Sequence, residues 1–129
     1  MKRLVLFTSI LFFLAATADG RGFEITKKAG EYDVEVKIDR NPPIIGDNHI
    51  EIGIKDGSSK PIKDAKVLVN YYMPPIPRMA PMHYKTDANL KGDKYKATMK
   101  FIMAGPWVIA IKITRGDKTA TTKVNVDAQ

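Results

Sequence analysis

The sequence predicts an all-β domain, an antiparallel sandwich of about seven strands. Two observations carry this prediction: apolar residues recur with a period of two along most of the chain, and short turn motifs separate the alternating segments. Beyond the N-terminal segment, no stretch has the 3.6-residue period of an amphipathic helix. A chain of 129 residues with 44% hydrophobic and 27% charged residues fits one globular domain.

The N-terminal segment has the features of an export signal. Two basic residues precede an apolar stretch over residues 4–16, and small residues follow up to Ala18. We therefore expect a signal peptide over residues 1–18 and a periplasmic or secreted domain over residues 19–129. The alternative is an uncleaved membrane anchor, although the apolar stretch is shorter than the ~20 residues that a spanning helix needs.

Alternation of apolar and polar residues locates the strands. In the first strand, Val34 and Val36 alternate with Glu35 and Lys37, so one face is apolar and the other is charged. Between the strands lie clusters of Pro, Gly, Asn and Asp, which are typical turn residues. We expect Trp107 at the centre of the core between two facing sheets. The predicted strands lie near residues 31–39, 48–55, 65–72, 83–89, 94–103, 106–114 and 118–126.

The net charge of +7 does not indicate a nucleic-acid partner. The lysines alternate with apolar and acidic residues along the strands, which is the pattern of a solvated strand face. Once the signal is cleaved, we expect no strong membrane insertion. Neither His49 nor His83 has the sequence neighbours of a nucleophilic or zinc centre, so we expect no enzymatic activity.

The strand order brings one set of connections to the same end of the sandwich. Because consecutive antiparallel strands reverse direction, every second connection lies at the same end. The connections over residues 40–48, 73–82 and 103–106 therefore come together. Four of the five methionines that follow Met1, and both histidines, lie in these connections or begin the strands that leave them.

Residues 73–82 form a proline-rich connection with a regular spacing of apolar residues. Four prolines fix φ and push each preceding residue to extended geometry, so we expect a stiff, polyproline-like loop. Because polyproline has three residues per turn, one face of that loop is apolar and rich in thioethers. The residues on this face are Met73, Ile76, Met79 and Met82.

The thioethers of this loop are candidate ligands for Cu(I). Soft sulfur ligands hold Cu(I), and thioethers need no deprotonation. Because ideal polyproline separates residues three apart by ~9 Å, Met79 and Met82 share one ion only if the loop bends. The candidate ligands are Met79, Met82 and His83, with Met73 and Met103 completing a three- or four-coordinate site. In the alternative interpretation the loop is an apolar lid that fills irregular space above the core.

Two segments carry a resemblance to known families: KDGSSKPIKDAKVLVNYYMPPIPRM and GDKYKATMKFIMAGPWVIAIKI. In these segments the chain resembles the YtkA-like domains and the periplasmic part of the FixH proteins, over most of the mature chain. The resemblance implies an immunoglobulin-like sandwich in the cell envelope. It also implies a part in copper handling, since FixH-like members are associated with the assembly of copper-containing respiratory oxidases. The distinguishing residues are Met73, Pro74, Met79, Met82, Gly92, Tyr95, Met103, Gly105 and Trp107.

Two functions therefore compete. The first is an exported, non-catalytic domain that binds Cu(I) or handles copper in the envelope, with a copper protein or another envelope protein as partner. The second is a structural or protein-interaction module of the envelope with no metal. They differ in whether the sulfur atoms of the candidate ligands converge in the folded domain.

Overall fold

The structure, a computed structural model, describes residues 22–129, and the expected signal peptide over residues 1–18 lies outside them. The described residues form eight β-strands, and none of their segments is a helix that could cross a membrane. The strands are β1 (Phe23–Ala29), β2 (Tyr32–Ile38), β3 (Gly46–Lys55), β4 (Lys66–Tyr72), β5 (His83–Lys91), β6 (Lys94–Phe101), β7 (Gly105–Arg115) and β8 (Lys118–Ala128).

The all-β prediction is confirmed, and the seven predicted strands correspond to β2 through β8. The structure adds β1, which pairs with β2 along its whole length, from Phe23 opposite Ile38 to Ala29 opposite Tyr32. Most of β1 is only half-buried on its inner side. Its alternation is therefore weaker than that of the central strands.

The strands form an immunoglobulin-like antiparallel sandwich whose sheets are joined into a nearly closed surface. The strand order is β1-β2-β3-β6-β5-β4-β7-β8, and every neighbouring pair is antiparallel. The first sheet contains β1, β2, β3 and β6, and the second contains β4, β7 and β8. β5 joins them, because residues 83–88 pair with β4 and residues 89–91 pair with β6.

The core lies between the inner faces of the two sheets. Aliphatic residues that alternate along β2, β3 and β7 are almost fully buried there, as the period of two requires. Each such side chain stabilises the fold by about 1.5–3 kcal/mol relative to an exposed one. Trp107 is 1% exposed, as the sequence predicts, and Met99 is also fully buried.

The outer face of the first sheet is charged, as the alternation in β2 predicts. Lys37 Nζ lies 3.2 Å from Glu24 Oε1 on β1, and this hydrogen-bonded pair raises the pKa of Lys37. An open concavity of about 940 Å³ lies over this face, and paired side chains such as these line it. Both partners are largely solvated, so the pair adds little to the stability of the fold.

Strand direction places three connections at one end of the sandwich, as predicted. We call this end the methionine pole and define it as residues 39–45, 73–82 and 102–104, the β2–β3, β4–β5 and β6–β7 connections. The chain also enters the domain there, because the backbone of Gly22 lies against that of Ile38 and Asp39. The C-terminal residue closes the same end, since the Gln129 N–H donates to the Pro43 carbonyl at 2.9 Å.

The Tyr95 hydroxyl ties the β3–β4 connection to β6. It donates to the Ile62 carbonyl at 2.9 Å and accepts from the Ala65 N–H at 3.1 Å. The ring is 1% exposed, and burial raises the pKa of Tyr95. The neutral phenol is therefore the form that the fold stabilises.

We expect Tyr95→Phe to lower the free energy of unfolding by about 1–2 kcal/mol, because it leaves two backbone groups without their partner. Chemical denaturation of residues 19–129 measures this change. Tyr72→Phe, on a half-buried ring of β4, is the matched control. Equal stability of Tyr95→Phe and the wild type would contradict the stabilising role of the Tyr95 hydroxyl.

Tyr95 also makes the stability of the fold depend on pH in the alkaline range. The unfolded chain loses the phenolic proton near its ordinary value of about 10, whereas the folded chain keeps it to higher pH. Stability is therefore intact below pH ~10 and falls as pH rises through the native pKa. We expect a shallower alkaline decline in Tyr95→Phe, measured as denaturation midpoints between neutral pH and pH ~11.

Candidate metal site

Four aromatic side chains form the floor of the methionine pole. Phe101 stacks on Trp107 with ring centroids 4.9 Å apart, and it meets the edge of Tyr71 at 5.7 Å. Tyr84 stacks on Tyr71 at 5.5 Å. Phe101 ends a strand of the first sheet, whereas Trp107 and Tyr71 belong to the second. The cluster therefore joins the two sheets directly beneath the loops, and each such pair contributes about 0.5–1.5 kcal/mol beyond its burial.

The indole of Trp107 also fixes the β6–β7 connection. Its Nε1–H donates to the Met103 carbonyl at 3.0 Å. This bond satisfies the one polar atom of a buried ring and holds the backbone of residues 102–104 over the core. The Met103 side chain is half-buried and packs against the core.

Met73 follows β4 directly and is 6% exposed. Its methyl group lies against Gly105, where a Cβ would stand only 2.9 Å from Met73 Cε. Gly105 also has φ +126°, a region that glycine adopts without strain. The Met73 side chain can therefore occupy this position at the methionine pole because residue 105 has no side chain.

The loop that follows Met73 bends rather than continuing as a polyproline spiral. The Met79 N–H donates to the Ile76 carbonyl at 3.1 Å, with Pro77 and Arg78 between them. Arg78 has φ +69°, so the four residues form a type II turn with proline at its second position. The polyproline-like geometry that the sequence predicts is interrupted at this point, because Arg78 in the left-handed region reverses the chain.

The bend brings three of the five predicted ligands to one cavity. Met73, Met79 and Met82 all line a cavity of about 40 Å³ within the loop. A water molecule occupies about 30 Å³ of liquid, so the space is of the size of one small ligand. Met73 is buried, Met82 is half-buried and Met79 is 44% exposed. The rest of the wall is formed by Pro74, Pro75, Ile76, Ala80 and Pro81.

The remaining candidates lie outside this cavity. His83 is exposed, and its ring lies 5.8 Å from that of Tyr72, its cross-strand partner. Successive residues of an extended chain point to opposite faces, so Met82 turns inward and His83 outward. Met103 is also not among the lining residues. His49 is exposed, and its Nδ1 lies 3.2 Å from Thr98 Oγ1.

The cavity offers soft ligands. The three methionines that line it carry thioethers, which suit Cu(I) and scarcely coordinate hard cations. Within residues 22–129, no group of three or more His, Cys, Asp or Glu side chains is placed to hold a metal ion.

Sequence reasoning missed two features of this end. The first is Gly105, because a Gly-Pro pair indicates a turn and gives no sign of the methionine that packs against it. The second is a pair of exposed side chains, Ile45 and Ile102. The sequence does indicate that these two side chains are exposed, because each is an apolar residue at a position where the period of two predicts a polar one.

We expect Gly105→Ala to destabilise the domain by about 1–3 kcal/mol, because it combines an unfavourable φ with a clash against the Met73 methyl. The measurement is chemical denaturation, together with the methyl resonance of Met73 in a ¹³Cε-methionine sample, which should shift. Gly57→Ala is the control, since nothing lies within 4 Å of that position. An unchanged Met73 resonance in Gly105→Ala would contradict the contact between the Met73 methyl group and residue 105.

The fold has a counterpart among solved structures. The crystal structure of the PmoD soluble domain from Methylocystis sp. ATCC 49242 (Rockwell) superposes with a TM-score of 0.56, over 81% of this chain and 97% of that chain. The two are 10% identical, so the likeness concerns the fold alone. No curated protein sequence matches the chain significantly. The YtkA-like family matches residues 26–112, which is more than half of the sequence, and the chain therefore belongs to the YtkA-like family.

Proposed function

We propose that this domain is a non-catalytic Cu(I)-binding module of the cell envelope, with Met73, Met79 and Met82 as its ligands. The observation that carries the proposal is their common cavity at the methionine pole. A role in copper handling is also what the resemblance to FixH-like proteins implies. His83 and Met103 are left out of the proposed ligand set, because neither lines the cavity.

Three thioethers supply a donor set suited to a soft monovalent ion. They remain neutral and unprotonated at every relevant pH, so binding requires no proton release. The prolines and the turn at Arg78 hold the loop in a bent form before the ion arrives, which reduces the entropy lost on binding. The exposed Met79 is the donor that an incoming ion meets first, and the buried Met73 is the innermost.

Anaerobic titration of residues 19–129 with Cu(I), against a competing chelator, tests the proposal. We expect one ion per chain. Met79→Leu and Met82→Leu should each weaken the affinity at least tenfold, since even loss of a supporting residue around a metal site costs about 10–100-fold. Met99→Leu is the matched control, because this thioether is fully buried in the core. Uptake that is unchanged in the Met79→Leu/Met82→Leu double variant would contradict the proposal.

A second measurement identifies the ligands directly. Ag(I) is a redox-stable substitute for Cu(I) and prefers the same soft donors. In a ¹³Cε-methionine sample, we expect Ag(I) to shift the methyl resonances of Met73, Met79 and Met82 and to leave that of Met99 in place. A shift of Met103 instead of Met73 would contradict the proposed ligand set.

A further inference from the structure

The methionines of the domain differ sharply in their exposure to solvent. Within residues 22–129, Met79 at 44% is the only methionine whose side chain is exposed. Met82 and Met103 are half-buried and pack against the core, while Met73 is 6% exposed and Met99 is fully buried. The thioether that an incoming ion meets first is therefore also open to any small solute that reacts with sulfur.

Peroxides are solutes that react with an accessible thioether. The sulfur attacks one oxygen of hydrogen peroxide, an S–O bond forms, the O–O bond breaks and water leaves. Sulfur loses two electrons and the peroxide gains them, so the product is methionine sulfoxide and no other reactant is needed. Because the peroxide must reach the sulfur, we expect Met79 to react first and the buried Met73 and Met99 last.

The position of Met79 tolerates this change. Its N–H donates to the Ile76 carbonyl at 3.1 Å, and this bond uses backbone atoms alone. Residues 77–81 are all exposed, so a polar side chain within this segment stays in contact with water. The same polar group at Met73 or Met99 would lie in the hydrophobic core, where its burial is unfavourable. Oxidation at position 79 therefore changes a donor atom of the cavity and leaves the fold intact.

We propose that Met79 is a redox-sensitive ligand, whose oxidation by peroxide to the sulfoxide weakens Cu(I) binding at the loop cavity. The sulfoxide presents a hard oxygen in place of a soft thioether, and Cu(I) prefers soft donors. Met73 and Met82 remain as thioethers, so the affinity falls without being abolished. Reduction by a methionine sulfoxide reductase restores the site. The effect on copper rests on the proposed function, whereas the order in which the methionines react does not.

Peptide mapping measures which methionine reacts. Residues 19–129 without metal are treated with limiting hydrogen peroxide under native conditions and then digested with trypsin. Cleavage after Arg78 places Met73 and Met79 on different peptides, and fragmentation separates Met79 from Met82. We expect the first added oxygen on Met79. First addition on any other methionine would overturn the proposal.

Anaerobic Cu(I) titration of the oxidised protein, after removal of the peroxide, measures the effect on the site. We expect the affinity to fall about tenfold or more below that of the untreated protein, as for Met79→Leu, with an unchanged denaturation midpoint. Met79→Leu treated with the same peroxide is the matched control, and its affinity should fall no further. Equal affinity of oxidised and untreated protein, a lowered midpoint, or a further fall in the control would overturn the proposal.

A bound ion should in turn protect Met79, because coordination takes up a lone pair of the sulfur. Ag(I) serves here as the redox-stable substitute for Cu(I). We expect saturating Ag(I) to slow the oxidation of Met79 and to leave that of Met103, which does not line the cavity, unchanged. Equal rates of Met79 oxidation with and without Ag(I) would contradict ligation by this residue.

The results separate the two proposals. If the untreated protein binds no Cu(I), the proposed function fails, and the effect of oxidation on copper fails with it. If the untreated protein binds Cu(I) but peroxide reacts first elsewhere, or leaves the affinity unchanged, only the redox sensitivity of Met79 fails.

Discussion

The stacking of Trp107 on Phe101 is the contact on which the methionine pole depends. Each ring ends or begins a strand in a different sheet, and their centroids are 4.9 Å apart in the buried core. The same indole holds the Met103 carbonyl at 3.0 Å, so one side chain joins the two sheets and fixes a loop above them. Met73 then packs at the neighbouring position against Gly105. Met73 also lines the cavity of the loop, so these contacts connect the cavity to the buried core.

Much of this architecture is present in the sequence pattern. The period of two locates β2 through β8, and the position of the pole follows from strand direction alone, so the extra strand at the N-terminus does not alter it. The period of two does not reveal β1, because the adjacent Lys27 and Lys28 interrupt the alternation of apolar and polar residues. The inner side chains of β1 are also only half-buried. The crossing of β5 between the sheets is a tertiary property, and no local spacing predicts it.

The candidate site shows where local patterns stop being informative. Proline spacing predicts a stiff loop, but it cannot predict that Arg78 adopts φ +69° and reverses the chain. The side chains of Met73, Met79 and Met82 come to one cavity through this turn and not through a threefold spiral. His83 follows Met82 in the sequence, but the alternation of an extended chain sends it to the opposite face. Adjacency in sequence is therefore a poor guide to shared ligation in a strand.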